Sequence, residues 1–154
     1  MDTIEQWKHL IRQANSAFAH ENFQLAAALY QQAALLLAEA WPDYQQQIQA
    51  ADSHHGQDGI TLLIICFSIS IQNLAETYAR QQRWRRCLST LNRSLTQVQQ
   101  LQQTIPSAHP ANVALLIRES CNLRRELCRL SQLSAQPTPP SGGATMLPAS
   151  PSVH

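Results

Sequence analysis

Charge is what this sequence has least of. Charged residues make up 14% of the 154, against about 25% in an average soluble domain, and 11 Lys and Arg nearly cancel 10 Asp and Glu to leave +1. That total offers no net field to gather nucleic acid or an anionic membrane. A surface made polar mainly by Gln, Ser, Asn and Thr also does little to oppose contact between copies of the chain. Glycine is scarce, at four residues, and aromatics reach only 6%. No glycine-rich loop is present to cradle phosphates, no serine sits in a nucleophile elbow, and the carboxylates are scattered. The chain therefore reads as non-enzymatic and free of cofactors.

Metal and membrane signals are missing too. The four cysteines, Cys66, Cys87, Cys121 and Cys128, form no CxxC and pair with no histidine at ligand spacing. Each lies in an apolar helical pattern, so all four are expected to be small buried hydrophobes. His54 and His55, with Asp52 and Asp58, fall in DSHHGQDG, a loop by composition in which neighbouring histidines point apart, and Asp58 is placed to cap the helix that follows. No metal is expected. The longest apolar run, 60–71 (ITLLIICFSISI), falls short of the about 20 residues that cross a bilayer, and the N-terminus lacks the apolar core of a secretory signal. A cytoplasmic chain with no membrane segment is the expectation.

What the sequence does have is helix. Ala, Leu and Gln dominate, and few β-branched runs exist to build a sheet. At this length one domain can hold a core without disulfides or a metal. In 73–95, NLAETYARQQRWRRCLSTLNRSL, Leu74, Ala75 and Tyr78 share one helical stripe and Trp84, Cys87, Leu91 and Ser94 another, on either side of a polar turn. Small Ala75, Cys87 and Ser94 allow two backbones to approach, and the larger residues fill the space beside them.

The same frame occurs earlier. Ala14, Ala17, Asn22, Phe23, Ala26, Tyr30 and Ala33 map onto Ala75, Tyr78, Arg83, Trp84, Cys87, Leu91 and Ser94 at a constant offset of 61. Written out, ANSAFAHENFQLAAALYQQAAL resembles the central block of a tetratricopeptide repeat, with its small residue, polar turn and alternating aromatic and Ala. The family's period is about 34 residues, so an offset of 61 leaves roughly 27 extra between the two motifs. Glu21 and Gln82 stand near the place of the usual turn glycine. The resemblance is to a short, atypical member.

The expected architecture is all-α, with about five antiparallel helices in hairpins over 1–134 and a Pro, Ser and Gly-rich disordered tail over 135–154. Pro42 is expected to kink or split the second helix. Helical pattern runs from Trp84 to about Leu101, and Pro110 opens a last amphipathic helix, which the resemblance assigns to capping the final repeat. The run 60–71, apolar on nearly all sides, needs cover on two faces. Either segment 44–48 and the last helix supply it, or a second copy does, in a symmetric dimer.

The resemblance further implies a protein interaction module, an adaptor or chaperone-like binder of a peptide or partner protein, with a groove lined by the first helix of each repeat. Carried over, the groove residues are Lys8, Ile11, Asn15, Phe18 and Ala19 in the first copy and Ile69, Gln72, Glu76, Ala79 and Arg80 in the second. Ile11 stands where members that clamp a peptide carboxylate carry a Lys. An alternative reading is a nucleic-acid or phosphate contact through Arg80, Arg83, Arg85, Arg86 and Arg93 around Trp84. The near-zero total charge argues against it, and a solvated turn with pairs such as Glu76 with Arg80 accounts for the cluster.

Overall fold

Two tight turns set the architecture. In the computed structural model, which describes residues 2–50, 54–104 and 110–136, Glu21 and Gln82 both adopt left-handed backbone, with φ of 59° and 58°. Around the first, Asn22 N–H donates to Ala17 C=O at 2.8 Å and Glu21 N–H to Phe18 C=O at 3.0 Å. Around the second, Arg83 N–H donates to Tyr78 C=O at 2.8 Å and Gln82 N–H to Ala79 C=O at 2.9 Å. These paired bonds are the left-handed helix C-cap, which takes up the carbonyls that a helix end leaves over. Every partner is displaced by the offset of 61 seen in the sequence, so the duplicated frame is also a duplicated turn.

The described residues form five helices and no strand: α1 (Thr3–Ala19), α2 (Phe23–Ala50), α3 (His54–Arg80), α4 (Trp84–Thr104) and α5 (Pro110–Ser134). Asp2 starts α1 by accepting the Ile4 N–H, and Pro110 occupies the first turn of α5, where its missing amide costs nothing. Each helix packs on its sequence neighbour, and α3 touches all four others. With three residues or fewer in each tight turn, α1 with α2 and α3 with α4 run antiparallel.

The core is that of a helical bundle with close backbones. Ala14, Ala26, Ala33, Ala75, Cys87 and Leu91 are wholly buried, as are Tyr30, Leu74 and Tyr78 to within 5%, and these are the positions the two frames assign to the inside. Each fully buried Leu or Ile contributes about 1.5 to 3 kcal/mol. Small polar residues of α3 fold back on its own carbonyls, Ser70 Oγ to Cys66 at 2.8 Å and Thr77 Oγ1 to Asn73 at 2.7 Å, so they can be buried where neighbouring helices come close. Ser70 also receives the indole N–H of Trp7 at 2.7 Å, which fixes α1 against α3.

Several expectations change. The stretch DSHHGQDG does not stay a loop: α3 begins at His54, so Asp58 lies inside the helix rather than capping it. Gly59 serves another purpose, since a Cβ there would meet Tyr44 Cε1 at 2.8 Å; its absent side chain lets α2 and α3 converge. Pro42 does not split α2. Pro42 and Ala38, whose carbonyl loses its partner, are both exposed, so water can satisfy the freed group. α4 continues past Leu101 to Thr104. Cys66 and Cys87 are buried, whereas Cys121 and Cys128 are exposed, because their seven-residue spacing puts both on the outer face of α5.

The apolar run is covered within the chain, with Ile60, Leu63, Ile64 and Ile71 buried and Leu62 and Ile69 left partly exposed. The helix that carries it is longer than the run: 59–80 is 22 residues with a mean hydropathy of 1.5, enough by length and composition to cross a membrane, and half of that window is buried in the bundle. The tail assigned to 135–154 lies outside the described residues from 137 onward.

Candidate functional site

The side of the bundle shared by α1, α3 and α5 carries a polar pocket of about 460 Å³, lined by Asn15, Phe18, Tyr30, Asn73, Glu76, Arg80 and Arg129. α3 supplies its floor. Along that helix Leu62, Ile69, Asn73, Glu76 and Arg80 follow at spacings of seven, four, three and four, which places them on one stripe. The stripe is apolar at its start, where Leu62 is 49% and Ile69 39% exposed, and polar at its end.

Inside the pocket the side chains are held by one another. Tyr30 donates its hydroxyl to Asn15 Oδ1 at 2.5 Å, which takes the carbonyl end of that amide and leaves its NH2 end as the donor for a ligand. Burial pushes the Tyr30 phenol up from its ordinary value, so it stays a neutral donor at neutral pH. Arg80 rests its guanidinium 5.5 Å above the Phe18 ring, a cation–π contact that uses none of its N–H donors. Arg129 bridges two carboxylates, Glu76 at 2.5 Å and Glu126 at 2.6 Å. Its hydrogen bond to Glu126, with the charges of both carboxylates, holds it protonated still more firmly than an ordinary arginine. The bridge ties α5 to α3 across the pocket.

No family model, curated protein or solved structure significantly matches this chain. The site therefore has to speak through its own chemistry. Of the residues assigned to a groove from the sequence, the structure brings Asn15, Phe18, Glu76 and Arg80 together. Lys8 is exposed on α1 and pairs with Glu5 at 3.2 Å, away from the pocket. Ile11 is a correction: at 9% exposure it belongs to the core, since it lies four residues after Trp7 and three before Ala14, on the same buried stripe of α1. Gln72 is half-buried and donates to Ser68 Oγ at 3.0 Å, Ala79 packs on the core, and Ala19 is exposed at the end of α1.

The expected pair of Glu76 with Arg80 does not form; Glu76 pairs with Arg129 and Arg80 with Phe18. Tyr30, Asn73 and Arg129 were missed. Asn73 was legible, being three residues before Glu76 on the same stripe, but nothing local announces Arg129, which arrives from 53 residues away. The arginine cluster of 80–93 is dispersed as well. Arg80 turns into the pocket, Arg83 stacks 5.5 Å over Tyr78, and Arg85, Arg86 and Arg93 lie exposed on α4. Among the described residues no three His, Cys, Asp or Glu side chains gather as a cation site would require.

Proposed function

We propose that this chain is a short, atypical tetratricopeptide-like module, non-enzymatic and cytoplasmic, that binds an extended segment of a partner protein along α3. The reading is supported by one observation above others: Asn15 and Phe18 from the first copy of the frame meet Glu76 and Arg80 from the second in a single pocket. The Asn15 NH2 can donate to a peptide backbone, and the Asn73 carboxamide can both donate and accept. The Arg80 fork suits an acidic side chain, and Leu62 and Ile69 would take apolar residues farther along the same segment. The two identical turns, bonded alike at Glu21 and Gln82, support the repeat-like assignment.

The proposal is tested by selecting peptides against the full chain from a random displayed library and measuring their affinity for variants. Arg80→Ala together with Asn73→Ala should weaken a selected peptide by at least about tenfold, roughly 1.4 kcal/mol. Arg85→Ala together with Arg86→Ala should leave it unchanged. The reverse pattern, with binding that falls steeply as salt is added, would move the function to the arginines of α4 and to a polyanion.

A further inference from the structure

The near-zero net charge conceals a division. Residues 1–79 hold two basic side chains, Lys8 and Arg12, against eight Asp and Glu, a formal −6, whereas residues 80–154 hold nine Arg against two Glu, a formal +7. Apart from Glu76 of α3, which pairs with Arg129, the described acids of α2 and the arginines of α4 and α5 sit on helices whose backbones do not meet. α1 and α2 pack on each other and on α3, α5 packs on α3 and α4, and among the described residues no close backbone approach joins α1 or α2 to α4 or α5. α2, with Glu39 and Asp43 and no basic residue, is therefore the acidic end of the molecule, and α4 with α5 the basic one.

Each end also shows an apolar side chain to solvent. On α2, Leu35 is 57% exposed, and Glu39 and Asp43 follow it at successive four-residue steps, both exposed. On α5, Ile117 is 49% exposed, and Arg124 and Arg125, about two turns on, are exposed as well. No ion pair among the described residues engages Glu39, Asp43, Arg124 or Arg125. An apolar residue with unpaired acids beyond it at one end thus answers an apolar residue with unpaired arginines beyond it at the other.

We infer that the partner of each end is the opposite end of a second copy of this chain, so that copies join head to tail. A two-fold dimer through either end would set like charges against each other, which costs energy and rejects that pairing. A heterologous contact brings unlike charges together and leaves one free end on each side, so it grows rather than stopping at two. The low overall charge of the rest of the surface adds little repulsion to oppose it.

Light scattering on the nuclease-treated full chain, over a hundredfold range of concentration, tests the inference. At about 0.01 M salt, where the screening length is about 30 Å, the mass should rise with concentration beyond that of two chains; at about 1 M, where it is about 3 Å, it should fall back toward 17.2 kDa. Arg124→Gln with Arg125→Gln, and separately Glu39→Gln with Asp43→Asn, should each remove the growth, and mixing the two variants should restore a species of two chains, since each keeps the end that the other lacks. Circular dichroism and melting confirm that both variants remain folded. A mass of one chain at every concentration in low salt would overturn the inference, as would a salt-resistant dimer or a mixture that stays at one chain. A basic end that binds nucleic acid while the protein alone stays monomeric would assign that end to a polyanion instead.

Discussion

Glu21 and Gln82 hold backbone angles that most residues avoid, and both do so to end a helix and reverse the chain within a few residues. The left-handed conformation costs a residue with a side chain about 1 to 2 kcal/mol, while glycine loses about 0.5 to 1 kcal/mol through its freedom in the unfolded chain. Glu21→Gly or Gln82→Gly should accordingly stabilise the protein by about 0.5 to 1 kcal/mol, read as a higher urea midpoint at constant slope; a lower midpoint would mean that the side chain contributes more than the strain costs. The sequence showed that neither turn holds a glycine, but only the φ values show that Glu21 and Gln82 carry the strain. The thiols give a second residue-scale prediction. Burial pushes Cys66 and Cys87 up from 9.0 to about 11. Below pH 9 both folded and unfolded chains keep these protons, so stability is unaffected; from about 9 to 11 the unfolded chain ionises first, and stability should fall as pH rises. At neutral pH an alkylating reagent should label Cys121 and Cys128 in the native protein and spare the other two, a result that mass spectrometry reads directly and that modification of Cys87 would contradict.

At the scale of elements, the helix faces were legible and so were most helix ends, with Phe23, Trp84 and Pro110 opening helices as expected; the start of α3 and the end of α4 were not. The i, i+3, i+4 pattern placed Ala75, Tyr78, Cys87 and Leu91 inside because burial requires one apolar stripe, and all four are at most 5% exposed. Composition misread 54–59 as loop, because the two glycines there weaken a helix in isolation while tertiary packing, here Gly59 against the Tyr44 ring, selects it. α3 is the element on which the others depend. Ala75→Leu should overpack its contact with a neighbouring helix and cost about 1 to 3 kcal/mol, while Ala19→Leu at an exposed position should change little. Ser70→Ala removes the acceptor of a buried indole N–H, and an orphaned donor costs about 1 to 3 kcal/mol. Thermal melting of the three variants checks both expectations, and parent-like melting of Ala75→Leu would mean that the two helices do not approach as closely as described.

At the scale of the whole molecule, the five-helix all-α fold followed from the sequence because periodicity and composition agreed throughout. The pocket followed only in part. Asn15, Phe18, Glu76 and Arg80 could be named from the duplicated frame, but Arg129 could not, since its place beside Glu76 depends on how α5 lies across α3. The segregation of charge was present in the sequence and invisible in its total. The central claim is that a partner segment lies along α3 in the pocket between α1 and α5, and NMR titration of the labelled full chain with a selected peptide tests it most directly. The side-chain amides of Asn15 and Asn73 and the backbone of 69–80 should shift together and saturate at one peptide per chain. Shifts confined to α4, or to the exposed face of α5, with Asn15 and Asn73 unmoved, would contradict it.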